Sequence, residues 1–159
     1  MAKILLVEDD ISLRDVYYAR LQAEGFELAV ASNGEEALAA AVKERPDLIV
    51  LDVMMPRISG FDVLDIIRTT PEIAHTRVVM MTALGSPEDR ERGEKLGVDK
   101  YLVKSQVTLE DVVATIKKVL ESPTGSSKEE VVGKPQANPV TTEPPKSEPQ
   151  SNQPPSQPQ

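Results

Sequence analysis

Residues 46–60 read Pro46-Asp47-Leu48-Ile49-Val50-Leu51-Asp52-Val53-Met54-Met55-Pro56-Arg57-Ile58-Ser59-Gly60. Four apolar residues, Leu48 to Leu51, run without interruption and end on an aspartate. A short unbroken run of this kind is the pattern of a strand buried on both faces, as in a parallel sheet. Working outward, the pattern recurs at Ile4-Leu5-Leu6-Val7 and Val78-Val79-Met80-Met81. Leu28-Ala29-Val30-Ala31 and Tyr101-Leu102-Val103 read as two further strands.

Helical periods lie between and after these runs. The clearest is Leu109, Val112, Val113, Ile116, Val119 and Leu120, which share one helical face. Thr108 with Asp111 forms a capping-box pattern at its start, with Asp in place of the usual Glu. Asp10 suits the N-cap of the first helix, whose Leu13, Val16, Tyr17 and Leu21 share a face. Gly25, Gly34 and Gly97 punctuate the junctions. Five strands alternating with five helices imply βα units, because parallel strands require crossover connections. Right-handed crossovers then place helices on both sheet faces. The expected fold is α/β, a doubly wound five-stranded parallel sheet, over residues 2–121.

Composition narrows the chemistry. The 159 residues contain no cysteine and one histidine, His75, which removes disulfides, thiolate zinc sites and most histidine-dependent catalysis. A net charge of −8 disfavours direct binding to a nucleic-acid backbone. No apolar run approaches the roughly 18 residues that span a bilayer. The first apolar tetrad is too short for a signal-peptide core, so a cytoplasmic location is expected.

Character changes near Glu121. Residues 122–159 hold nine of the 13 prolines and no aromatic residue. Their only apolar side chains are Val131, Val132, Ala137 and Val140. Such a composition buries too little surface to offset its ordering entropy, so a disordered Pro/Ser/Gln-rich tail is expected. A docking segment for a partner is the alternative. The tail is too short for an effector domain, which suggests a stand-alone protein.

In an open parallel sheet, ligands bind beyond the carboxyl ends of the strands, where strand order reverses. The first run is followed by Glu8, Asp9 and Asp10, the third by Asp52, the fourth by Thr82 and the fifth by Lys104. Each feature alone has a plainer reading as a cap, turn former or solvated residue. Together they bring acids, a hydroxyl and an ammonium to one rim. Crowded carboxylates repel unless a cation neutralises them, and magnesium suits an all-oxygen site. The set reads as a phosphoryl site with its metal, Asp52 being available as nucleophile.

In Leu6-Val7-Glu8-Asp9-Asp10, Leu51-Asp52-Val53-Met54-Met55-Pro56 with Ser59-Gly60, Met81-Thr82-Ala83 and Tyr101-Leu102-Val103-Lys104, the chain resembles the receiver domain of bacterial two-component response regulators. The resemblance implies a flavodoxin-like strand order of 2-1-3-4-5 and a signalling protein rather than an enzyme. It implies that Asp52 accepts a phosphoryl group from a sensor histidine kinase or phosphotransfer protein. Asp9, the Asp52 carboxylate and the Met54 carbonyl would coordinate Mg²⁺, with Glu8 assisting through water. Thr82 and Lys104 would contact the phosphoryl oxygens, and Pro56 and Gly60 would shape the adjoining loop. Tyr101 would turn inward on activation, the plainer alternative being static packing at the surface. Output would pass to a protein partner through the face of the fourth helix, fifth strand and fifth helix.

One position departs from the family. Ser105 follows Lys104 where proline is usual. A cis bond before serine costs about 2.5–4 kcal/mol, against roughly 0.5–1 before proline, so a trans bond is expected. Among competing readings, a haloacid-dehalogenase-type phosphatase needs a second Asp where Met54 stands. A flavodoxin-type carrier would want more aromatics than 3%. A receiver-like module that is never phosphorylated is the alternative that shares the whole motif set.

Overall fold

A computed structural model describes residues 1–122. The tail reading for 122–159 lies, beyond Ser122, outside the described residues. Five strands alternate with five helices: β1 (Lys3–Val7), α1 (Ile11–Ala23), β2 (Glu27–Ala31), α2 (Gly34–Glu44), β3 (Leu48–Asp52), α3 (Gly60–Arg68), β4 (Arg77–Thr82), α4 (Pro87–Lys95), β5 (Lys100–Val103) and α5 (Leu109–Glu121). A short 3-10 turn, Lys104–Gln106, joins β5 to α5. All pairings are parallel, in the order β2-β1-β3-β4-β5. The chain thus has the doubly wound, flavodoxin-like fold, with β2 at one edge.

The period-2 alternation of the strands divides the core in two. Leu5, Val7, Ile49, Leu51, Val78 and Met80 point to one side, where Ala37 and Ala41 of α2 and Val63, Leu64 and Ile67 of α3 cover them. Ile4, Leu6, Leu48, Val50, Val79 and Met81 point to the other, beneath Leu21 of α1 and Val112, Val113 and Ile116 of α5. Both faces are apolar because both are covered. That is why the strands read as continuous runs.

Caps set the helix starts. The Asp10 carboxylate accepts from the Leu13 N–H, and Thr108 with Asp111 completes a reciprocal capping box on α5. Ser59 with Asp62 makes a second box on α3. Gly25 and Gly97, with φ of 98° and 92°, close α1 and α4 in the left-handed region that a Cβ disfavours. Two expectations need correction. Val16 does not join the inner face of α1 but is 51% exposed, while Tyr17 and Tyr18 share the packing against the sheet. α4, Pro-Glu-Asp-Arg-Glu-Arg-Gly-Glu-Lys, carries no apolar stripe and buries only Gly93. It lies so close to β5 that a Cβ on Gly93 would stand 2.9 Å from the Tyr101 ring.

Candidate functional site

The parallel sheet sends the carboxyl ends of β1, β3, β4 and β5 to one rim, and the site assembles there. Glu8 directly follows β1, and its amide donates to the Ala31 carbonyl, which extends the sheet by one bond. Asp52 is the last residue of β3 and Thr82 the last of β4; Lys104 opens the turn after β5. Glu8, Asp52 and Thr82 are the buried polar residues of the described chain, at 3%, 4% and 0% exposure. Asp9, by contrast, faces solvent.

Lys104 Nζ donates to Glu8 Oε1 at 3.0 Å and to Asp52 Oδ2 at 3.2 Å. The other Asp52 oxygen accepts from the Met54 amide at 3.2 Å. Glu8 Oε2 accepts from the Asp10 amide, which fixes the carboxylate between loop and ammonium. Burial, reinforced by the neighbouring Asp52 charge, lifts the Glu8 carboxyl to about 6 against the pull of Lys104. For Lys104, burial works against the charge, but the Glu8 hydrogen bond and the Asp52 field outweigh it and hold the ammonium high.

A carboxylate oxygen from each of Glu8, Asp9 and Asp52 lies within 4.8 Å of the others. Three acids served by one ammonium leave the pocket with excess negative charge, and the donors are all oxygen. That chemistry fits a small hard dication such as Mg²⁺. Asp10 takes no part in the cluster, because its side chain is spent on capping α1.

Loop 53–59 continues from Asp52. Its path is held by the Gly60 amide, which donates to the Val53 carbonyl at 2.8 Å. A Cβ on Gly60 would collide with the Asp52 carbonyl oxygen, so only glycine lets α3 begin this close to β3. A cleft of about 440 Å³ opens beside the loop, lined by Asp9, Met54, Pro56, Phe61, Leu84 and Arg92 among others. No peptide among the described residues is cis, so the Lys104–Ser105 bond is trans as expected.

Tyr101 requires a correction. The ring is not waiting at the surface to turn inward; it is already inside, at 4% exposure. Its hydroxyl donates to the Leu84 carbonyl at 2.9 Å, and the Leu84 amide donates to Thr82 Oγ1 at 3.0 Å. Arg90 lies over the ring, 5.3 Å from its centroid. Sequence reasoning missed Leu84 and Arg90. Leu84 acts through its backbone N–H and C=O, and no side-chain pattern announces a backbone role.

The fold and site therefore define a doubly wound α/β protein that gathers three carboxylates, a hydroxyl and an ammonium at the sheet's switch point. The family model described as the response regulator receiver domain matches residues 4–117, and the chain belongs to that family. Receiver domains are signalling proteins rather than conventional enzymes. Among solved structures, the chemotaxis response regulator CheY4 of Vibrio cholerae is 38% identical, with a TM-score of 0.70 over 75% of this chain and 98% of that one. The response regulator TrrA of Thermotoga maritima, solved in complex with Mg(2+)-BeF, is 33% identical, with a TM-score of 0.66 over 75% of this chain and 99% of TrrA. Among curated relatives, the probable transcriptional regulator ycf27 of Cyanophora paradoxa is 42% identical over 79% of this chain and 52% of its own length. The transcriptional regulatory protein CpxR of Klebsiella pneumoniae is 44% identical over 76% of this chain and 50% of CpxR. The chain spans about half the length of these curated relatives. No helix among the described residues is long and apolar enough to cross a membrane.

Proposed function

We propose that Asp52 accepts a phosphoryl group from a phosphohistidine of a sensor kinase or phosphotransfer protein. The observation that carries this reading is the Lys104 ammonium held between the buried carboxylates Glu8 and Asp52, with Asp9 at the open edge. A carboxylate oxygen of Asp52 forms a bond to phosphorus as the phosphorus–nitrogen bond of the donor breaks. The electron pair of that bond returns to the imidazole. Lys104 and the Thr82 hydroxyl would bind the phosphoryl oxygens. Glu8, Asp9, Asp52 and the Met54 carbonyl would hold Mg²⁺, which supplies positive charge that offsets repulsion between the acids and an incoming dianion.

The output reading builds on Leu84, whose backbone N–H and C=O, on either side of its Cα, join Thr82 to Tyr101. Drawing the Thr82 hydroxyl toward a phosphoryl group weakens its bond from the Leu84 amide. Movement of that amide, passed across the Leu84 Cα, then reaches Tyr101 through the Leu84 carbonyl. The face of α4, β5 and α5 thereby senses the state of Asp52 and presents it to a protein partner in the cytoplasm. Since ycf27 and CpxR are named as transcriptional regulators, control of transcription through a partner or a further domain is a second reading of the output.

Intact-mass spectrometry after incubation with phosphoramidate and Mg²⁺ tests the acceptor. One phosphoryl adduct should form, and it should disappear with EDTA or in Asp52→Asn. An undiminished adduct in Asp52→Asn would overturn the assignment. A wild-type chain that never labels would favour the unphosphorylated interaction module.

A further inference from the structure

Loop 53–59 is tied across to the start of α2 as well as to its own strand. Arg57 grips Glu35 with two nitrogens, Nη2 to Oε1 at 2.8 Å and Nε to the two carboxylate oxygens at 3.1 and 3.3 Å. Next to this clamp, Gly34 lies so near the Ile58 side chain that a Cβ would collide with it. Arg57 has a φ of 70°, a left-handed conformation that is costly for any residue with a Cβ. The turn is closed by the Ile58 amide donating to the Pro56 carbonyl at 2.9 Å. A strained residue three positions after Met54 is thus held by a charged partner from a different helix.

We infer that Glu35 is a positioning residue for the metal site. By holding Arg57 in its left-handed conformation, it keeps the loop in the path that presents the Met54 carbonyl beside Asp52. The inference rests on the reading of that carbonyl as a metal ligand. Glu35 and Arg57 are both more than half exposed, at 57% and 58% of their side-chain surface. Their pairing is therefore modest in strength and screened by salt. The effect belongs on metal affinity rather than on the survival of the fold.

Calorimetric titration of the full chain with MgCl₂ tests this. Glu35→Gln should weaken Mg²⁺ binding about threefold while leaving Tm nearly unchanged. Adding Arg57→Gly to Glu35→Gln should restore affinity, because glycine adopts the left-handed conformation without a clamp. Glu35→Gln with Arg57→Gln has the same net charge as that rescued pair but keeps a Cβ at position 57, and it should stay weak. Wild-type affinity in Glu35→Gln, or equal affinity in the two double variants, would overturn the inference. Absence of Mg²⁺ binding in the wild type, or unchanged binding in Asp9→Ala, would instead overturn the metal reading on which it rests.

Discussion

Lys104 and Glu8, 96 positions apart in the chain, meet at 3.0 Å beneath the rim of the sheet. The contact offsets part of the cost of burying Glu8 but not all of it, and the carboxyl remains raised to about 6. The folded chain therefore holds the Glu8 proton more tightly than the unfolded chain, whose ordinary value is 4.5.

This raised carboxyl sets a pH dependence for the metal-free protein. Above about pH 6 both states are ionised, and burying the charge costs stability in full. As pH falls from about 6 toward 4.5 the folded state is protonated first, and the cost is relieved. In EDTA, Glu8→Gln should be more stable than wild type by about 1 kcal/mol at pH 7.5. The difference should shrink to a small part of that by pH 4.5 and vanish below it. Melting curves from pH 4.5 to 8 check this, and a gap that widens on acidification would contradict it.

Asp9 is exposed and holds no part of the core. Asp9→Ala should lower Mg²⁺ affinity at least about tenfold, equivalent to about 1.4 kcal/mol of binding energy. Its Tm in EDTA should stay within about 2 °C of wild type, as is usual for surface changes. Calorimetry and thermal melts measured on the same sample separate the two effects.

Gly60→Ala should damage the fold and the site together. The added methyl meets the Asp52 carbonyl oxygen, a backbone atom that cannot rotate away. Overpacking of this kind costs about 1–3 kcal/mol, and here α3 must also shift from β3. Urea unfolding should show the loss, and Mg²⁺ affinity should fall with it. An Ala variant as stable as wild type would mean that the α3–β3 approach has slack.

Thr82 and Tyr101 both bond to the backbone of Leu84, so their substitutions should not be additive. Thr82→Ala and Tyr101→Phe each remove one hydrogen bond to it, worth about 0.5–1.5 kcal/mol. The double variant should depart from the sum by at least about 0.5 kcal/mol in a denaturation cycle. Because that coupling carries the state of Asp52 to the ring, Tyr101 resonances should shift on addition of beryllofluoride in wild type and not in Thr82→Ala. Strict additivity, or equal ring shifts in the two proteins, would argue that the signal leaves Asp52 by another route.

Much of this protein was legible in its sequence because the governing forces act over short stretches. Strands buried on both faces must be apolar throughout, so Leu48 to Leu51 announced β3, and the residues following four of the runs named the chemistry of the rim. The caps Asp10 and Thr108 were visible because capping joins residues three apart. α4 was harder to read, since a helix that packs through Gly93 alone shows no apolar period. The strand order came from family resemblance, because the hydrophobic pattern is the same for any order of equally buried strands.

Other features depended on contacts between residues far apart in the chain. The inward Tyr101 ring follows from the space left by Gly93, the cover of Arg90 and the acceptor at Leu84. None of these is coded by the residues beside it. The left-handed Arg57 likewise requires Glu35 from another helix, 22 positions away. Local periodicity determines which segments become strands and helices and which chemistry stands at their ends. Rotamers, buried charge and the sharing of one ammonium by two acids are decided only when packing brings distant side chains within hydrogen-bond reach.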